Sequence, residues 1–237
     1  MRKSPTAFEQ VIDRLQGLYG RPEPPSVTAA MEMILYENVA YLVSDAQREA
    51  AFEALRRRVG TGPVEILAAP DEVLQEVARL GGMRPEDRVA RLRRIAQIVL
   101  QEFDGELAAV LGGPLSAAKK ALMRFPSIGE PGAEKILLFS RSHLILALDS
   151  NGLRVLVRVG FGREAKSYAA TYRSVREALK DEAGADYDLL IGAHQLLRRH
   201  GQELCRRSKP VCRACPLTSL CVYYRQAAHQ PLAGQQP

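Results

Sequence analysis

All four cysteines of the 237-residue chain fall between positions 205 and 221, spaced Cys205-x6-Cys212-x2-Cys215-x5-Cys221. Thiolates held this close on one short segment can surround a single compact centre, and four-thiolate sites serve zinc or iron–sulfur clusters. A zinc site of this kind expects two CxxC knuckles across a longer spacer, and one CxxC is present here. The N-terminus, MRKSPTAFEQVIDRL, is charged, without the apolar core or cleavage site of a secretory signal, so a cytoplasmic, nucleoid-associated protein is expected. In that compartment a cysteine cluster reads as a metal site rather than a disulfide framework. Arg206, Arg207, Lys209 and Arg213 stand beside the ligands. Such a run is ordinarily a solvated face. On a loop tied at both ends by metal bonds it would instead hold cations against phosphates, which positions a protein without reading sequence.

A second set of residues lies upstream. Residues 146–160 read LALDSNGLRVLVRVG, and an aspartate before Ser-Asn-Gly is a common helix N-cap. Residues 125–139 read FPSIGEPGAEKILLF, a tight Pro/Gly turn opening a helix. Such a turn aims several backbone N–H groups outward and makes an anion site. His143, His194, His200 and His229 show neither metal-ligand spacing nor a partner cysteine or serine, and no chemistry is assigned to them.

The elements that must position these residues read as helices. From Glu86 to Phe103 the apolar residues Val89, Leu92, Ile95, Ile98, Val99 and Phe103 recur three or four apart, which puts Arg91, Arg93 and Arg94 on the wet face. Residues 27–42, 46–59, 71–80, 115–124, 133–140, 165–180 and 186–200 share the same style. Gly and Pro punctuate at 60–63, 69–70, 81–82 and 112–114. LILAL at 144–148 is a short strand-like run without a βαβ rhythm, so the fold class is all-α, with no internal repeat. The end of the chain, 226–237, lacks a packing pattern and reads as a disordered tail. A net charge of +6 favours a polyanionic partner, and few aromatics with no Trp argue against a broad single-strand stacking platform. No stretch approaches the roughly 20 apolar residues that cross a bilayer.

HQLLRRHGQELCRRSKPVCRACPLTSLC resembles the cluster loop of the endonuclease III and adenine-glycosylase branch of helix-hairpin-helix DNA glycosylases. The resemblance implies a [4Fe–4S] cluster on Cys205, Cys212, Cys215 and Cys221. FPSIGEPGAEKILLF is similar to that family's hairpin, L-P-G-V-G-R-x-T-A. It keeps Pro126, Gly129 and Ala133 and departs at Ser127, Glu130 and Pro131. The resemblance makes Ser127, Gly129, Pro131 and Gly132 DNA-binding positions. LALDSNGLRVLVRVG is similar to the family's V-D-x-x-V-x-R-V-x-x-R-L-G and puts Asp149 at the catalytic aspartate, with Arg154 and Arg158 at its basic positions. A carboxylate there would stabilise the oxocarbenium-like charge on the deoxyribose and steer or deprotonate water.

Bifunctional members carry an amine nucleophile two residues after the second hairpin glycine. Here that residue is Pro131, which has none, so the expected product is an abasic site. Lys135, one turn on, is the alternative nucleophile. AMEMILYENVAYLV, residues 30–43, lines up with the adenine-glycosylase helix E-V-M-L-Q-Q-T. Glu32 then falls on the acid that protonates the departing base, and Tyr36, Glu37 and Asn38 fall where the lesion is probed. A plain exposed glutamate and a core or rim tyrosine are the alternatives. The C-terminal domain that recognises oxidised guanine in adenine glycosylases is expected to be missing. Together these resemblances imply a monomeric glycosylase of base-excision repair acting on double-stranded DNA with a damaged or mismatched base, with no membrane partner. Residues 27–142 are expected to form a six-helix lobe, and 1–26 with 143–225 an iron–sulfur lobe, with DNA in the cleft between them. A non-catalytic binder of DNA or abasic sites is the third alternative.

Overall fold

The computed structural model describes residues 5–182, 184 and 186–228, which form thirteen α-helices and one 3-10 turn, with no strand among the described residues. The chain divides into two compact units, one of Pro25–His143 and the other of Met1–Pro24 with Leu144–Pro237. His229 and the predicted tail beyond it lie outside the described residues, while its first positions, through Ala228, are helical.

In the Pro25–His143 unit, α2 (Ala30–Asn38) packs against α3 (Asp45–Arg58), α6 (Pro85–Glu102) and α9 (Glu130–Phe139). Met33, Ile34 and Leu35 of α2 are buried, each side chain contributing about 1.5–3 kcal/mol of apolar burial. Helix α4 (Pro63–Ala68) is hidden in a Gly/Pro punctuation mark, because Pro63 sits in its first turn, where a missing N–H costs nothing. α5 (Asp71–Leu80), α7 (Ala108–Leu111) and α8 (Leu115–Leu122) complete this unit.

Arg93, expected on the wet face of α6, and Arg88 both turn to the end of a neighbouring helix. Arg88 is 1% exposed and donates to the carbonyls of Ala78 and Gly82, finishing the C-terminus of α5. Arg93 donates to the carbonyls of Leu67 and Ala69, each at 3.0 Å, and finishes α4 in the same way. Helical periodicity counts Arg93 as a surface residue because it cannot see the carbonyls of a neighbouring helix.

The other unit joins α1 (Ala7–Tyr19) to the C-terminal half. At its centre is α10 (Ser150–Val159), which packs against α11 (Tyr168–Ala178), α12 (Tyr187–Glu203) and α13 (Val222–Ala228). A Cβ on Gly201 of α12 would lie 2.7 Å from Asn151 Cβ, so only glycine allows α12 this close to α10. Of the strand-like residues before α10, Ile145–Leu148 are buried, and they pair with no strand among the described residues. Arg176 Nη1 donates to Leu146 O at 2.7 Å and His194 Nδ1 lies 2.9 Å from Ala147 O, so side chains satisfy carbonyls that a ladder would otherwise take.

Candidate functional site

Asp149 is the N-cap of α10. Its Oδ1 accepts the Gly152 N–H at 2.7 Å, its Oδ2 accepts Asn151 Nδ2 at 2.9 Å, and Arg198 Nε stands 3.8 Å away. The buried run Ile145–Leu148 on one side and the helix on the other fix where the carboxylate can be. The local capping role and a chemical role are therefore compatible in one residue: the cap holds the group still and leaves it partly exposed.

The same helix reaches the cysteine loop. Asn151 Oδ1 accepts Arg154 Nη2 at 2.9 Å, and Arg154 also donates to Gly201 O at 2.8 Å and Cys205 O at 2.9 Å. One turn later Arg158 donates to Arg206 O at 2.7 Å and Arg207 O at 3.0 Å, with its guanidinium 4.6 Å over the Tyr223 ring. The two basic positions thus fasten the loop to α10 rather than facing solvent as free cations.

All four cysteines line one small pocket together with Arg158, Val211 and Tyr223. Among the described residues no group of three or more His, Cys, Asp or Glu is arranged to hold a single metal ion. A lone zinc needs every sulfur about 2.3 Å from one point. Four cysteines lining one pocket are a donor set that serves either zinc or an iron–sulfur cluster. The donors fit as well. Arg158 Nη1 is 3.4 Å from Cys205 Sγ and the Tyr224 backbone N–H is 3.4 Å from Cys221 Sγ. Burial pushes the Cys215 thiol up to about 11 and raises Cys221 too, a cost that bonding to a cationic centre would offset. Arg206, Arg207, Lys209 and Arg213 are exposed along this loop.

In the other unit, α8, the turn 123–129 and α9 form a helix-hairpin-helix. Gly129 is the N-cap of α9 and makes no side-chain cap, and Pro131 occupies the first turn. Ser127 and Gly129 are exposed, while Pro131 and Gly132 are partly covered. Ser127 adopts φ +62°, the left-handed conformation that glycine takes freely. Lys119 of α8 binds Glu130 and the buried Glu134, which clamps α9 onto α8 and offsets the Glu130 charge at the hairpin.

The side chains expected to probe a lesion all have partners within their own unit. Asn38 is 1% exposed, donating to Ile34 O and, at 2.9 Å, to Pro126 O, so it pins the hairpin from behind. Tyr36 lies edge-on to Phe52 and donates its hydroxyl to Glu49 at 3.1 Å. Burial and the neighbouring Glu49 push its phenol up to about 12. Glu37 accepts from Lys135 Nζ at 2.7 Å. Glu32 is equally engaged: Arg56 spans its two oxygens at 3.3 and 3.1 Å, and Thr61 donates at 3.2 Å.

Other residues reach out instead. Leu42 (74% exposed, φ +53°) and Met83 (65% exposed) sit on two loops joined by Tyr41 N–H to Gly81 O at 3.0 Å. A Cβ on Gly81 would meet Val39 O at 2.0 Å, so the loops touch backbone to backbone. The sequence cue is a bulky apolar pair within Gly- and Ser-bounded loops, which helical periodicity absorbs into α2 and discards at Gly81-Gly82. His200 is likewise invisible to ligand spacing, yet its Nε2 lies 3.4 Å from Cys215 Sγ.

No protein-family model matches the chain. Curated relatives include the thymine-DNA glycosylase of Aeropyrum pernix, 25% identical over 173 residues, which is 73% of this chain and 73% of that protein. The endonuclease III of Sulfolobus acidocaldarius is 25% identical over 183 residues, 76% of each chain. Among solved structures, a trapped endonuclease III–DNA covalent intermediate superposes with a TM-score of 0.71 at 19% identity, covering 94% of this chain and 100% of that one.

Proposed function

We propose, from its similarity to endonuclease III and thymine-DNA glycosylase, that the chain is a monofunctional DNA N-glycosylase of the helix-hairpin-helix type. Its substrate is double-stranded DNA carrying a damaged or mismatched base. The observation that carries the reading is the Asp149 carboxylate, capped at the head of α10 and partly open to solvent.

As the base leaves an extruded nucleotide, the sugar becomes cationic. Asp149 stabilises that charge and accepts a proton from the attacking water. Because Gly152 and Asn151 already hold the carboxylate, little reorganisation is needed at that moment. Release leaves an abasic site. Pro131 offers no amine at the hairpin position, and Lys135 is half of an ion pair with Glu37, so neither residue supplies a free nucleophile. Glu32, held in place by Arg56 and Thr61, is the candidate for protonating the departing base.

The hairpin N–H groups and the cations Arg206, Arg207, Lys209 and Arg213 hold phosphates. Leu42 and Met83, exposed on their paired loops, enter the duplex where the nucleotide has left, as apolar wedges do. Cys205, Cys212, Cys215 and Cys221 hold a [4Fe–4S] cluster, which ties the ends of the basic loop together.

A panel of duplexes, each with one lesion or mismatch and assayed with and without alkali, tests this. At least one member should lose its base and break only after alkali. Strand breaks without alkali, with a borohydride-trapped complex that Lys135→Ala abolishes, would make the enzyme bifunctional. Tight binding with no base release across the panel would make it a binder instead.

A further inference from the structure

His200 of α12 is 0% exposed and stands between two groups. Its Nδ1 lies 3.1 Å from the Tyr19 hydroxyl and its Nε2 lies 3.4 Å from Cys215 Sγ. Which nitrogen carries the proton depends on the sulfur. A metal-bound thiolate offers only lone pairs, so Nε2 must be the donor. The neutral ring then leaves Nδ1 as an acceptor, and the Tyr19 O–H is positioned to fill it. With a free thiol the reverse order is equally satisfied: S–H to Nε2, and Nδ1–H to the phenol oxygen.

Tyr19 is itself fixed. It ends α1, just before the capping N–H of Gly20, and the Arg199 guanidinium lies 4.6 Å over its ring. The same helix grips the chain just past Cys215, where Arg14 Nη1 donates to Pro216 O at 3.2 Å and to Ser219 Oγ. A phenol, an imidazole and a ligand sulfur are thus aligned through the interior of this unit. The other donors to sulfur differ in kind: Arg158 is a permanent cation, and the N–H groups of Leu217 at Cys215 and of Tyr223 and Tyr224 at Cys221 are main chain. His200 is a neutral side-chain donor whose proton is placed by a second side chain.

We propose that His200, held in its Nε2–H tautomer by Tyr19, is a positioning residue that raises the reduction potential of the iron–sulfur centre through Cys215. A hydrogen bond to a ligand sulfur draws electron density from it and favours the reduced state. This role presupposes the cluster proposed for the four cysteines.

The test uses the full-length holoprotein and its Tyr19→Phe, His200→Leu and His200→Gln variants. Iron and acid-labile sulfide are counted first, and midpoint potentials are then measured by spectroelectrochemical titration. His200→Leu should lower the reduced-to-oxidised ratio at fixed potential by about tenfold, which is about 59 mV for a one-electron couple. Tyr19→Phe should shift it the same way by less, because Nδ1 can then take the proton and release Nε2. His200→Gln, whose amide N–H can still meet the sulfur, should stay near wild type. Wild-type potential in both Tyr19→Phe and His200→Leu, with the cluster fully loaded, overturns the proposal. Should His200→Leu fail to fold, an unshifted Tyr19→Phe overturns it alone. A wild-type protein free of iron and sulfide overturns the cluster reading itself, a separate result.

Discussion

The helices α9 and α10 begin in opposite ways. At α10 the N-cap is Asp149, whose carboxylate consumes the Gly152 N–H and is braced by Asn151. At α9 the N-cap is Gly129, which has no side chain to turn back, and Pro131 fills the first turn. Both ends concentrate partial positive charge, so both attract negative groups. A closed end keeps its own carboxylate fixed for use on something else. An open end leaves its N–H groups for an external anion such as a phosphate. One side chain at the cap decides between the two.

Cutting the loop that α10 holds should have the largest effect. Cys212→Ser removes one of the four ligands of the proposed cluster, and with it the order of the segment whose carbonyls Arg154 and Arg158 bind. Loss of visible absorption, iron and solubility together is expected. A colourless variant and wild type that both bind stoichiometric zinc would contradict this.

Next in size is a change at the open end. Pro131→Lys places an amine in the first turn of α9, where a backbone N–H is neither needed nor harmful and a cation costs about 0.3–1 kcal/mol against the helix dipole. Borohydride should trap this variant on lesion DNA and leave wild type untrapped. If both are trapped, another amine is already at work.

A smaller, uniform effect is expected from the Arg207→Ala/Lys209→Ala double variant. Affinity should fall alike for all sequences, and the log–log salt slope should flatten by about one unit per lost contact. Unchanged binding would take the cysteine loop out of the footprint. The smallest effect is at the hairpin: Ser127→Gly relieves a left-handed serine and should raise stability by up to about 1 kcal/mol, read as a denaturation midpoint shift at constant slope. A loss of stability would mean that the Ser127 hydroxyl, 3.4 Å from Arg91, matters more than the backbone.

The helical character of the chain was legible because amphipathic periods report burial directly, as along α6. The grouping of the cysteines was legible too, since residues a few positions apart on one loop end up lining one pocket. What could not be read were the pairings between distant elements. Glu32 reads as the acid for the departing base or as a plain exposed glutamate, and its partner Arg56, 24 residues on, is visible in neither reading. Tyr36 and Asn38 occupy probing positions by alignment, yet Glu49 and Pro126 draw them inward. Arg93 reads as surface until the carbonyls of Leu67 and Ala69 claim it. Leu42 is conspicuous only once its positive φ and exposure are known.

The central claim is that the carboxylate at the closed end does the chemistry, and Asp149→Asn measured in single turnover on a proven substrate tests it most directly. Asparagine caps a helix as well as aspartate does, so melting temperature and DNA affinity should hold while the charge is gone. Base release should then be slower by at least ~10²-fold, in line with lost general-base and electrostatic help. Base release at the wild-type rate, with the fold intact, would contradict the claim.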